Sequence, residues 1–198
     1  MILADLENNI KSCTLCNLNS KKVIAKGNAK SNILLCGMAP AKTELKVGKP
    51  FVGSAGKFLD LLLAEAGLTL KDLYVTNILK CYLKPGNTIK AKHADLCSRY
   101  LIKQIDTINP KIIVAMGKDT VATIFKIYNI DSGDTLTSMA GKFFKHDNLT
   151  ILPTYHPQYL ARFGGVNSKY YTQAIAHFKL AKQIAKGDTN EKRTSTIC

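Results

Sequence analysis

Apolar residues run along this chain in two rhythms, short unbroken runs and longer stretches with a 3.6-residue repeat. Ile33-Leu34-Leu35-Cys36 running into Gly37, and Leu73-Tyr74-Val75 ending at Thr76-Asn77, predict two buried strands. Lys111 to Met116 stopped by Gly117, and Leu149 to Leu152, predict two more. Helical spacing predicts a first helix from Leu3 to about Ser12. A second runs from Ser54, as its cap, through Ala66, with Phe58, Leu61, Leu62 and Glu65 on one repeat and Gly67 as the stop. A third covers about His93 to Ile108, with Leu96, Tyr100, Leu101 and Ile105 inward and Asn109-Pro110 closing it. Two more follow, from Gly117 to about Ile127 and from Ser168 to about Ala185. The segment from Gly37 to Gly53 reads as a Gly/Pro/Lys loop.

Strands that alternate with helices imply an α/β fold. The expectation is a three-layer α/β/α sandwich around a central, mainly parallel four-stranded sheet. Ligands of such sheets bind outside the carboxyl ends of the strands. The loops at those ends begin Gly37-Met38-Ala39-Pro40, Thr76-Asn77, Gly117-Lys118 and Thr154-Tyr155-His156-Pro157, and they hold most of the chain's candidate chemistry.

The 198 residues fit one domain, from residue 1 to about 187, followed by a polar tail over 188–198. No apolar run is long enough for a membrane span, and the first residues mix acids and amides into their apolar positions. A cytoplasmic protein without membrane contact is the expectation, with a monomer as the default state. Charge narrows the partners. Lys and Arg number 28 against 14 Asp and Glu, a formal net charge of +14. That excess suits a nucleic acid, although a generally lysine-rich proteome would produce it too.

Of six cysteines, Cys36 lies inside an apolar strand as a core residue, and Cys198 ends the chain. Cys13-Thr-Leu-Cys16 is a CxxC; Cys81 follows a strand and Cys97 sits on the next helix. Four thiolates from separate segments can hold zinc or an iron–sulfur cluster, and spacing leans only slightly to the second. Four unrelated buried thiols is the third reading. Phe51 is either a core plug or a platform for a base. Asn77 can cap a turn, and His156 can be a satisfied structural group, as His93, His146 and His177 are expected to be.

Taken in order, GMAPAKTE, GKPFVGSAGKFLDLLLAEAGL, YVTNILKCYLKPGN and PTYHPQYLAR resemble the successive motifs of the family-four uracil-DNA glycosylases. The similarity spans about Cys13 to Arg162. The resemblance implies that the protein flips uracil from single- or double-stranded DNA and hydrolyses its bond to deoxyribose. It assigns stacking to Phe51, the base edge to Asn77, and backbone contacts to Gly37, Met38, Ala39 and Pro40. His156 would stabilise the departing base, with Glu44 beside the sugar. Tyr159, Leu160 and Arg162 would press on DNA, and Lys42, Lys46, Lys49, Lys84 and Lys118 are candidate phosphate contacts. Cys13, Cys16, Cys81 and Cys97 match the ligands of a structural [4Fe–4S] cluster.

The first motif departs from the family, which usually has a glutamate after its first glycine and a glycine after its proline. Met38 and Ala41 stand there, so GMAPA resembles the related family-five enzymes, and Glu44 becomes the candidate for activating water. Two other classes stay open: an inactive homologue that binds uracil or abasic sites, and a colourless zinc-holding nucleic-acid module.

Overall fold

The computed structural model describes residues 2–16, 18, 20–84, 91–131 and 133–187. The expected polar tail and Cys198 lie outside the described residues. In chain order the elements are α1 (Leu3–Lys11), β1 (Ala25–Gly27), β2 (Ile33–Gly37), α2 (Lys42–Val47), α3 (Ser54–Glu65) and β3 (Leu73–Asn77). They continue with α4 (Ala91–Ile108), β4 (Ile112–Met116), α5 (Lys118–Ile127), α6 (Leu136–Met139) and β5 (Phe144–His146). The last are β6 (Leu149–Thr154), α7 (Pro157–Arg162) and α8 (Lys169–Lys186).

The sheet has six strands in the order β1-β3-β2-β4-β6-β5, where four were expected. The four expected strands form its parallel centre, with Ile33 facing both Leu73 and Ile112, and Ile112 facing Thr150. The additions, β1 and β5, pair antiparallel at the two edges. Each is three residues long and carries no buried residue, so neither has the apolar run that marks a central strand.

Side-chain alternation divides the buried residues into two layers. Ile33, Leu35, Leu73, Val75, Ile112 and Val114 meet α3 and α8 on one face. Leu34, Cys36, Tyr74, Ile113 and Ala115 meet α4 and α5 on the other. Outside that second layer, Leu6 and Ile10 of α1 pack on Tyr100 of α4. The three-layer expectation therefore holds. Among the described residues no helix is long and apolar enough to cross a membrane.

Two local readings change. Gly53, not Ser54, occupies the N-cap of α3, and no side chain caps it. The buried face of that helix is Gly56, Leu59, Leu62 and Leu63, leaving Leu61 at 51% exposure. The expected loop after β2 also contains α2, which ends on Gly48 in the left-handed conformation (φ 82°).

Candidate active site

The central strands run β3-β2-β4-β6, with β2 first in sequence, so connections leave it in both directions. A crevice opens at the carboxyl edge where they diverge. Gly37 ends β2 and is in register with Asn77 at the end of β3. The ladder continues past both strands, since Ile78 N–H donates to the Gly37 carbonyl and Leu79 N–H to that of Met38, each at 2.9 Å. The main chain at Gly37 and Met38 is thereby locked to the segment that carries Asn77.

A side chain at Gly37 would have no space. A Cβ there would lie 2.5 Å from Cζ of Phe51 and 2.5 Å from Oδ1 of Asn77. The glycine thus lets an aromatic ring and an amide share one spot. Phe51 itself has φ 51°, a left-handed conformation that costs a non-glycine residue about 1–2 kcal/mol. Three features hold it: burial to 4% exposure, a hydrogen bond from Lys26 Nζ to its carbonyl at 2.8 Å, and Gly56, where any Cβ would collide with that carbonyl. Burial lowers the pKa of Lys26, an effect partly countered by the Asp60 and Glu44 carboxylates.

Asn77 is 2% exposed, and its side-chain Oδ1 lies at the Gly37 turn beside Phe51. Behind it lies a residue the sequence reading passed over. Lys80 is 1% exposed, and its ammonium donates to Thr76 Oγ1 (2.9 Å), the Asn77 carbonyl (2.5 Å) and Gln104 Oε1 (2.6 Å). Desolvation lowers its pKa to about 8. A lysine inside the otherwise apolar run Ile78-Leu79-Lys80-Cys81 was the available signal.

His156 caps α7, with Pro157 as the first helical residue. Its Nδ1 accepts the N–H of Gln158 at 3.2 Å, so the neutral ring carries its proton on Nε2. Burial lowers its pKa from the ordinary 6.5, which keeps the ring neutral at pH 7. The ring lies 6.2 Å from that of Phe51, tilted by 35°. Gly117 makes room behind it, since a Cβ there would come within 3.1 Å of His156 Cβ. Gly37, Phe51, Asn77 and His156 therefore surround one spot. Met38 and Ala39 are half-buried beside it, and Pro40 is buried.

Glu44 is 5% exposed, and its Oε2 accepts the N–H of Ala41, closing the first turn of α2. Past His156, the rings of Tyr159 (40% exposed) and Phe163 (58% exposed) lie 4.5 Å apart, tilted by 33°, and Arg162 is exposed. Leu160, expected to press on DNA, does not join them: it is fully buried in the core, because its position on α7 faces α3 and the sheet. A cavity of about 800 Å³ opens beside His156 and Tyr159, walled by Lys118, Phe125 and Leu136. Lys42, Lys46, Lys49, Lys84 and Lys118 are all exposed. His177, expected to be structural, is buried and pairs with Thr154 at 2.9 Å.

Cys13, Cys16, Cys81 and Cys97 are free thiols that line one small, mostly apolar cavity together with Lys80 and Tyr100. Among the described residues no three His, Cys, Asp or Glu side chains are gathered around a single-ion site. A cluster takes thiolates more widely spaced than one ion does, and the donor set is four sulfurs without a histidine, so these residues fit an iron–sulfur group. Cys36 lies apart, and burial raises its thiol pKa to about 12.

The profile of the uracil DNA glycosylase superfamily matches residues 24–179. The type-4 uracil-DNA glycosylase of Archaeoglobus fulgidus is 33% identical over 78% of this chain and 81% of its own. That of Saccharolobus solfataricus is 34% identical over 79% and 74%, and that of Thermotoga maritima 32% over 77% and 80%. With the glycine-backed Phe51, the adjacent Asn77 and the capping His156 on the sheet edge where the crevice opens, this chain belongs to the uracil-DNA glycosylase superfamily.

Proposed function

We propose that the protein is a DNA repair glycosylase that draws uracil out of DNA and hydrolyses its N-glycosidic bond, leaving an abasic site. The observation that carries this reading is the placement of the Asn77 side-chain amide beside the Phe51 ring, with only Gly37 between them. Extruding a base costs a few kcal/mol of unstacking, which pocket contacts must offset. Phe51 stacks on the uracil face. The Asn77 amide donates to O4 and accepts from N3–H, a pattern that cytosine reverses. As the N1–C1′ bond breaks, its electron pair moves onto the base, and Nε2–H of His156 donates to O2 where that charge collects. Water bonds to C1′ and releases a proton. Glu44 Oε1 is the group assigned to orient this water or to face the sugar's positive charge.

Tyr159, Phe163 and Arg162 press on the duplex or strand around the extruded nucleotide, and the exposed lysines of the same edge contact phosphates. Cys13, Cys16, Cys81 and Cys97 hold a structural [4Fe–4S] cluster, supported by their shared cavity and free thiols. That group ties the segment before β1 to the chain after β3 and to α4. The enzyme acts as a monomer in the cytoplasm.

The test is cleavage of oligonucleotides carrying uracil, cytosine or thymine at one position, with alkali to break abasic sites and anaerobically purified protein. Cleavage of the uracil strand alone is expected. Cluster-loaded protein that binds the oligonucleotide and leaves it intact would instead identify a non-catalytic binder.

A further inference from the structure

The hydrogen bonds around Lys80 fix its state without reference to any titration. Thr76 Oγ1 sends its own hydrogen to the Ile24 carbonyl at 2.6 Å, so toward Lys80 it accepts. Gln104 Nε2 donates to the Tyr74 hydroxyl at 2.9 Å, which turns Oε1 toward Lys80 as a second acceptor. The third is the Asn77 carbonyl. Three acceptors need three N–H donors, and only an ammonium has them.

All three acceptors are neutral, so this is a buried positive charge with no carboxylate bonded to it. Such a charge is strongly unfavourable unless an anion lies nearby. What lies nearby is the cysteine set. Lys80 lines the same small cavity as Cys13, Cys16, Cys81 and Cys97, and it directly precedes Cys81. Its carbonyl accepts Val23 N–H at 2.8 Å, and Lys22 bridges to Cys81, so the residue is pinned on both sides. Four thiolates around a cluster supply net negative charge at that place.

We propose that Lys80 is the positioning residue joining the two halves of this enzyme: its ammonium fixes the Asn77 main chain beneath the base pocket, and its charge is balanced by the cluster on the four cysteines. The proposal rests on the iron–sulfur reading above. It makes the cluster more than a clasp for the N-terminal segment, because the anion it provides retains the cation that orients the recognition amide. No redox step is involved.

The experiment compares wild-type holoenzyme with Lys80→Met, measuring iron content, cluster reduction potential, single-turnover cleavage of uracil and affinity for an oligonucleotide bearing an abasic-site analogue. Removing a positive charge beside the cluster disfavours its reduction, so the potential moves to more negative values. Cleavage falls at least about tenfold while affinity stays within about twofold, since the displaced amide affects the chemical step more than DNA docking. A folded Lys80→Met variant with either potential or cleavage rate at the wild-type value overturns the proposal. Should that variant not fold, Gln104→Glu decides. A carboxylate there neutralises the ammonium without emptying its site, so the potential must again move to more negative values, and an unmoved potential overturns the proposal. Wild-type protein without iron overturns the cluster reading and this proposal together; wild-type protein with iron and an unmoved potential in the variants overturns this proposal alone.

Discussion

Gly37 and Phe51 are packed so closely that a Cβ on the glycine would fall 2.5 Å from Cζ of the ring. The same Cβ would lie 2.5 Å from Asn77 Oδ1, so one added carbon disturbs both walls of the pocket. Gly37→Ala is expected to lower single-turnover cleavage of uracil by about 100-fold, the scale on which a displacement near 1 Å costs rate. Its Tm should also fall, because the added carbon overpacks a ring that is buried in the core. A rate at the wild-type level would mean that uracil does not sit against Gly37.

His156 does two jobs that one substitution can separate. Asparagine also caps helices well, so His156→Asn keeps the first turn of α7 while removing the Nε2–H donor. Cleavage should fall by about 10²–10³ with the melting curve unchanged. Burial lowers the His156 pKa below 6.5, so the cation appears only under more acidic conditions. The wild-type rate should therefore not rise as pH falls from about 7 to 6.5. A rate that climbs as pH falls through 6.5 would show that the imidazolium, not the neutral ring, is the working form.

Much of this was legible in the sequence because central parallel strands are apolar on both faces. Ile33 to Cys36 and Ile112 to Met116 announce themselves, and the glycines that end them mark the functional edge. The edge strands β1 and β5 did not, since Ala25-Lys26-Gly27 and Phe144-Lys145-His146 owe their conformation to a neighbour and not to their own composition. Phe51 left two readings open, and the structure shows a ring buried in the core that also lies against Gly37 at the strand edge. Leu160 misled for a simpler reason. A motif gives the order of residues, whereas the face each presents depends on how α7 lies against α3. Lys80 left one faint signal, its place inside the apolar run Ile78-Leu79-Lys80-Cys81, and a solvated lysine just after a strand would leave the same one.

Glu44 holds Ala41 N–H through Oε2, which raises the question of whether it only caps α2. Glu44→Gln answers it, because the amide oxygen can still accept that N–H while the charge is gone. If Oε1 orients water or faces the developing oxocarbenium, single-turnover cleavage should drop by about 10–100-fold with the Tm preserved. An unchanged rate would confine Glu44 to its capping role.

The aromatic pair beyond the pocket offers a different kind of loss. Tyr159 and Phe163 are 40% and 58% exposed, and their rings lie 4.5 Å apart on the rim. Replacing Phe163 by Ala should weaken binding to uracil-containing DNA by about tenfold, since an aromatic–base contact contributes about 1–3 kcal/mol. Cleavage at saturating enzyme should change far less. Equal affinity of the variant and the wild type would remove Phe163 from the DNA surface.

His177 supplies a stability test that is independent of DNA. It is 4% exposed, pairs with Thr154 Oγ1 at 2.9 Å, and sits where a Cβ on Gly141 would come within 2.5 Å of its Nε2. Burial depresses its pKa to about 4, against an ordinary 6.5 in the unfolded chain. Between those values the unfolded chain binds the proton and the native protein does not, so stability decreases as pH falls from 6.5 toward 4 and levels off below. The full loss is on the order of 3 kcal/mol. Urea unfolding at pH 7 and pH 4.5 should show wild type losing more stability than His177→Gln, by about 2–3 kcal/mol. Equal losses in the two proteins would mean that His177 is protonated in the native state at pH 4.5.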